Sequence, residues 1–153
     1  MPPFLPRRHP LHHQRRRPPY PARLCASGAL DIMIGIGIDL VDVQRFRTVL
    51  HRRDKISERL FTKNELSYCN TATDPTERLA VRFAAKEAVM KALGVGLGKI
   101  RFREIEITKD MTGRPGLQLH GSAAQLAAHS GVRQWHISLS HTSSTAEALV
   151  IAE

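Results

Sequence analysis

The sequence predicts an α+β domain in which an antiparallel sheet packs against one long central helix. Three observations predict it. One helical stretch with clear start and stop signals runs from Asp74 to Leu93. The strand-like segments lie next to one another across short turns, the pattern of antiparallel hairpins rather than of parallel crossovers. The length of 153 residues, 42% of them hydrophobic and 24% charged, suits one core and not comfortably two. No apolar run approaches the roughly 20 residues a membrane helix needs, so no integral membrane protein is expected.

Residues 1–32 stand apart. They hold Arg7, Arg8, Arg15, Arg16, Arg17 and Arg23 against Asp31, about half of the net charge of +9, together with seven of the nine prolines. Such a stretch cannot bury enough surface to offset the entropy of ordering, which predicts disorder. A nucleic-acid or membrane-surface arm, a targeting peptide and an upstream extension are three readings of it. The apolar core of a secretory signal is missing, and the prolines argue against an amphipathic transit helix. The third reading is preferred, with the functional domain at 33–153 and its start near Met33. Cys25 and Cys69 fit no C-x-x-C spacing or multi-bridge framework, so reduced thiols and a cytoplasmic protein are expected.

Taken in order, residues 33–41 alternate aliphatics with Gly35 and Gly37, as a buried strand does where another backbone comes close. Residues 42–60 read as one helix whose apolar side carries Phe46, Val49, Leu50, Ile56 and Leu60. Thr62-Lys63-Asn64-Glu65 is a capping box that opens a short helix. Asp74-Pro75-Thr76-Glu77 opens the central helix with an acidic cap and a proline where no amide is needed. Gly94 supplies its left-handed stop, and Gly94 to Gly98 is a connector. Ile100–Thr108 and Leu117–His120 form a hairpin around Thr112-Gly113-Arg114-Pro115. Ser122 caps an alanine-rich helix closed by Gly131, and Gln134–Ser140 and Thr145–Ile151 are the last two strands.

On the central helix Leu79, Phe83, Met90 and Leu93 make one apolar stripe that also contains Lys86. Glu87 lies at its edge beside Ala80, Ala84 and Lys91, where small side chains leave room around a carboxylate and an ammonium. A solvated Glu87–Lys91 ion pair is the plain alternative. For Lys86, a snorkelling stem and an anion ligand stand equal. Asp39, at a strand end, either caps the next helix or joins Glu87, since two carboxylates with phosphate oxygens suffice for magnesium. The glycines after Leu93 follow a helix C-terminus, the wrong end for a phosphate cradle. His141 is either an exposed turn residue or a phosphate or adenine contact. Arg45, Arg52 and Arg59 recur every seven residues, with Lys55, Val49 and Ile56 alongside, a mixed face suited to an acidic partner or simply solvated.

The ordered set Gly35-Ile36-Gly37-Ile38-Asp39, Arg45, Phe61-Thr62, Glu65, Arg82-Phe83-Ala84-Ala85-Lys86-Glu87-Ala88, Lys91, Gly94, Gly113, Pro115 and Ser138-Leu139-Ser140-His141-Thr142 resembles the holo-acyl-carrier-protein synthases, the short class of 4′-phosphopantetheinyl transferases. The resemblance spans about residues 33–153 and implies that family's fold. It implies transfer of the 4′-phosphopantetheine arm of coenzyme A to a serine of apo acyl carrier protein, leaving 3′,5′-ADP. It implies Asp39 and Glu87 as magnesium ligands, Glu87 and Lys91 as catalytic groups, and Lys86, Lys91, Gly94, Gly96, His141 and Thr142 around coenzyme A. Arg45, Val49, Arg52, Lys55, Ile56 and Arg59 would dock an acidic carrier protein. A homotrimer with active sites between copies is implied, with no nucleic-acid or membrane partner. Which group takes the serine proton is not readable; Glu87 working through a water is the candidate. Two other readings, a basic nucleic-acid-binding module and a magnesium-dependent nucleotide hydrolase, leave most of the motif set unexplained.

Overall fold

A computed structural model describes residues 23–24, 30–53 and 55–153. The chain divides into two units, Met1–Asp31 and Ile32–Glu153. In the first, β1 (Arg23–Leu24) pairs antiparallel with β2 (Leu30–Asp31). The rest of the stretch expected to be disordered lies outside the described residues.

In the second unit, β3 (Gly35–Asp42), β7 (Thr145–Ala152) and β6 (Trp135–His141) form an antiparallel sheet in the order β3-β7-β6. The central helix α4 (Thr76–Ala92) lies across β3 and β7. Its approach is fixed by the two strand glycines: a Cβ on Gly35 would stand 1.9 Å from the Ala92 carbonyl oxygen, and one on Gly37 1.8 Å from that of Ala88. Two strand residues and four helix residues advance by nearly the same length, about 6 Å, so strand and helix run side by side in register. Asp74 opens α4 by accepting from the Thr76 amide at 3.0 Å. Gly94, with φ of 67°, closes it as Val95 N–H donates to Met90.

The expected helix over 42–60 is two helices. α1 (Val43–Arg52) is capped by Asp42, which accepts from the Arg45 amide at 2.7 Å, and α2 (Ile56–Leu60) follows Lys55, whose φ is 64°. Between Leu50 and Ile56 the chain reads His-Arg-Arg-Asp-Lys, with nothing apolar to hold a continuous helix against the core. α3 (Lys63–Cys69) opens on the expected capping box, with Thr62 and Glu65 each accepting the other's amide. The expected strand from Ile100 starts later: Phe102–Glu104 is a 3-10 turn, and β4 (Ile105–Lys109) pairs with β5 (Pro115–Leu119). The expected cap Ser122 lies inside α5 (Gly121–His129), whose cap position is His120 with no side-chain bond, and the serine hydroxyl donates to Glu104.

One core cluster packs α4 against β3, β7 and the β4–β5 hairpin; another gathers Val43, Phe46, Phe61, Cys69 and Leu79. Phe46, Phe83 and Phe102 join them as a ladder, with 5.3 Å between successive rings.

Candidate active site

Along β3 side chains alternate, so Gly35, Gly37 and Asp39 share the face turned to α4 while Ile36, Ile38 and Leu40 point the other way. The glycines bring the helix close, and the next position on that face delivers a carboxylate to its side. Lys91 Nζ donates to Asp39 Oδ1 at 2.7 Å and to the Ile38 carbonyl at 2.8 Å. Glu87, one turn earlier on α4, meets the same aspartate. Its carboxyl is pushed above the ordinary value, first by burial and then by the neighbouring Asp39 charge, with which it can share a proton. Two carboxylates and an ammonium thus converge from two elements, as the sequence suggests.

The two carboxylates, though not Lys91, line a cavity of about 630 Å³ whose walls are otherwise largely apolar. Arg45, Val49 and Ile56 line it, as do Phe46, Phe83, Leu97 and Phe102. The aromatic residues and Leu97 were not among the expected site residues. Their signal is faint in sequence, because an aromatic on a helical stripe reads equally as core.

Lys86 corrects an expectation. It is fully buried, and its Nζ donates to Glu65 Oε2 at 2.8 Å, to the Phe102 carbonyl at 3.0 Å and to the Ile105 carbonyl. Glu65 also accepts from the amides of Thr62 and Ile107. Burial lowers the Lys86 pKa against the raising effect of Glu65. Adjacent helix residues point about 100° apart, so Lys86 ties α4 to α3 and β4 while Glu87 faces the cavity; the buried ammonium is engaged by protein acceptors.

The other expected contacts are spread out. His141 Nδ1 lies 3.5 Å from Glu77, which is ten residues and about 15 Å along α4 from Glu87. It lines a separate groove of about 560 Å³ with Tyr68, Arg78, Arg82 and Lys109. There Arg82 is buried with its Nε unpartnered, and all three cations lie within about 5 Å of the Tyr68 ring centre. A hydrogen bond from Lys109 lowers the Tyr68 pKa. Thr142 holds the β6–β7 turn, accepting from Ser144 and Thr145. Gly94 and Gly96 have open space where a side chain would stand. The stripe of Arg45, Arg52 and Arg59 is interrupted by the break at Lys55: Arg45 lines the carboxylate cavity, Arg59 lines a neighbouring groove, and Arg52 and Lys55 line neither.

The family model of the 4′-phosphopantetheinyl transferase superfamily matches residues 35–146, from the first strand glycine to the start of β7. The chain belongs to that superfamily. Among this transferase's relatives is the holo-[acyl-carrier-protein] synthase of Moorella thermoacetica, 44% identical over 121 residues that cover 79% of this chain and 94% of that one. The crystal structure of the holo-[acyl-carrier-protein] synthase of Neisseria meningitidis superposes with a TM-score of 0.74 at 33% identity, covering 80% of this chain and 99% of that one. The Bacillus anthracis synthase, solved in complex with coenzyme A (3′,5′-ADP), gives 0.66 at 36% identity over 78% and 96% of the two chains. The transferase superfamily's match contains Asp39, Glu87, Lys91 and His141.

Proposed function

We propose that the chain is a magnesium-dependent holo-[acyl-carrier-protein] synthase, transferring phosphopantetheine from coenzyme A to a serine of apo acyl carrier protein. The observation that carries this reading is the convergence of Asp39, Glu87 and Lys91, the two carboxylates lining a largely apolar cavity. The residues fit a divalent cation: two carboxylates face each other across β3 and α4, burial and then the Asp39 charge raising the Glu87 carboxyl, and magnesium asks for one or two carboxylates plus phosphate oxygens. The remaining ligands would come from substrate phosphate and water.

When bound, magnesium would neutralise charge on the diphosphate of coenzyme A. The serine hydroxyl attacks the phosphorus carrying the pantetheine arm, the bond from that phosphorus to the bridging oxygen breaks, and 3′,5′-ADP leaves with the electron pair. Lys91, half exposed and anchored on Asp39, offsets the charge of the leaving group. Glu87, working through a water, takes the serine proton.

A homotrimer completes the site in this reading. His141 and the Arg82 groove share no lining residue with the carboxylate cavity, so the nucleotide end of coenzyme A would rest on a neighbouring copy. The outer sheet face supplies the interface: Ile36, Ile38 and Leu40 are 55%, 53% and 63% exposed, beside Leu149, an apolar patch of the kind that marks association. We place the reaction in the cytoplasm, where the free Cys69 thiol stays reduced; no helix among the described residues is long and apolar enough to cross a membrane. Incubation with coenzyme A, magnesium and apo carrier should add one phosphopantetheine to the carrier's intact mass. Removing the carrier's acceptor serine should abolish the gain, and a gain that persists would refute the chemistry.

A further inference from the structure

Asp39 is already in use. The Lys91 ammonium sits on its Oδ1 at 2.7 Å and takes a second hold on the Ile38 carbonyl at 2.8 Å. The aspartate side chain is 10% exposed, on the strand face where Gly35 and Gly37 press against the α4 backbone, so it has little room to turn toward anything else. Glu87 meets the same carboxylate from one turn earlier on α4. Burial first, then the Asp39 charge, raises the Glu87 carboxyl, and the Lys91 charge opposes both. Lys91 therefore supplies to this pair of carboxylates the positive charge that a divalent cation would also supply.

A cation added beside the ammonium would put two positive groups on one carboxylate, and like charges in contact with a single group repel strongly where water is partly excluded. Of the residues involved, the lysine is the one free to leave. Its side chain is 54% exposed, its charge rides on a flexible four-carbon stem, and its hydrogen bonds among the described residues are the two to Asp39 and Ile38. What it lacks is another set of anionic oxygens. A diphosphate brings them, together with oxygen ligands for the cation.

We propose that Lys91 gates the cation site: it holds Asp39 in the free protein, weakens the binding of a divalent cation there, and is drawn off by the diphosphate of coenzyme A. Cation and coenzyme A then load together, neither strongly without the other. The inference rests on the transferase reading and adds to it an order of loading set by one side chain. Arg45 lines the same cavity as both carboxylates and forms an ion pair with neither among the described residues, so the gate belongs to Lys91 and not to nearby positive charge in general.

The test uses manganese as the probe cation, its bound fraction read from loss of the paramagnetic resonance signal of the aqueous ion. Carrier is left out, so nothing turns over. Wild type, Lys91→Met, Lys91→Gln and the control Arg45→Met are titrated alone and with coenzyme A, correcting for manganese held by free coenzyme A. Circular dichroism and melting verify that each variant is folded. Without coenzyme A, both Lys91 variants should bind manganese about tenfold more tightly than wild type, and Arg45→Met within about twofold of it. The tightening that coenzyme A brings should be about tenfold larger in wild type than in the Lys91 variants. Coupling of this kind is reciprocal, so manganese should improve coenzyme A binding to wild type by the same factor, read by isothermal titration. Manganese affinity unchanged in either Lys91 variant, or raised equally in Arg45→Met, overturns the gate, and phosphopantetheine transfer by wild type then leaves the transferase reading standing. Wild type that binds manganese in neither condition overturns the gate as well; if it also transfers nothing, the transferase reading falls with it.

Discussion

Lys86 and Lys91 lie five residues apart on one helix and do opposite work. Lys86 has no solvent and three oxygen acceptors; Lys91 is half exposed and reaches Asp39. Removing one partner of a buried pair strands the other, so Lys86→Met should cost about 3–5 kcal/mol, measured by urea unfolding. Adding Glu65→Gln should recover part of the loss, because an uncharged side chain can still accept from the Ile107 amide. Lys91→Met should change stability by less than about 1 kcal/mol and abolish transfer. The sequence placed Asp39, Glu87 and Lys91 together because strand and helix periodicities each specify a face. It misplaced Lys86 because the deciding acceptor, Glu65, sits 21 residues away on another element, beyond the reach of any local pattern. Glu87 yields a pH test. The folded chain holds its proton more tightly than the unfolded one, so the stability it carries is greatest below the ordinary value of 4.5 and is lost as pH rises through the raised one. In chelator, Glu87→Gln should therefore be more stable than wild type at about pH 8, the advantage shrinking toward about pH 5. An advantage independent of pH would contradict the shared proton.

At the scale of elements, the site exists because β3 and α4 approach more closely than side chains allow. A Cβ on Gly37 meets backbone, not a flexible side chain, so Gly37→Ala should cost about 3 kcal/mol or more and displace Asp39 from Glu87. Gly94→Ala meets nothing and only strains a positive φ, at about 1 kcal/mol. Equal losses of melting temperature in the two variants would refute the close-approach account. These glycines were readable in sequence as a strand lying against another backbone. The break between α1 and α2 was not, because the apolar spacing of Leu50 and Ile56 fits a continuous helix; only the charged stretch between them, which buries nothing, hints otherwise. Nor was the role of Ser122, which reads as a helix cap and instead donates to Glu104.

For the whole molecule, the proposed trimer rests on the exposed isoleucines of β3 and the separation of His141 from Glu87, and the following outcomes test it. Ile38→Glu with Leu40→Glu should convert the assembly to monomers by light scattering and abolish transfer. Mixed assemblies of Asp39→Ala and His141→Ala subunits should recover activity that neither variant has alone, since one kind of junction between copies would retain both groups. Recovery absent from verified mixed trimers would mean that each copy works alone. Fold class and the order of elements were legible because caps, turns and periodicity agree along residues 33–153. The grooves were not, since they join residues from distant segments, as Arg59 and Arg103 line one groove and Arg82 lies over the Tyr68 ring in another.

The central claim is that Asp39 and Glu87 act together on coenzyme A for the benefit of a carrier serine. Intact-mass analysis of apo carrier after incubation with coenzyme A and magnesium tests it most directly, run with wild type, Asp39→Ala and Glu87→Ala. The account predicts the phosphopantetheine gain with wild type alone, all three proteins being folded. Carrier left unmodified by wild type, or modified at undiminished rate by either variant, would contradict it.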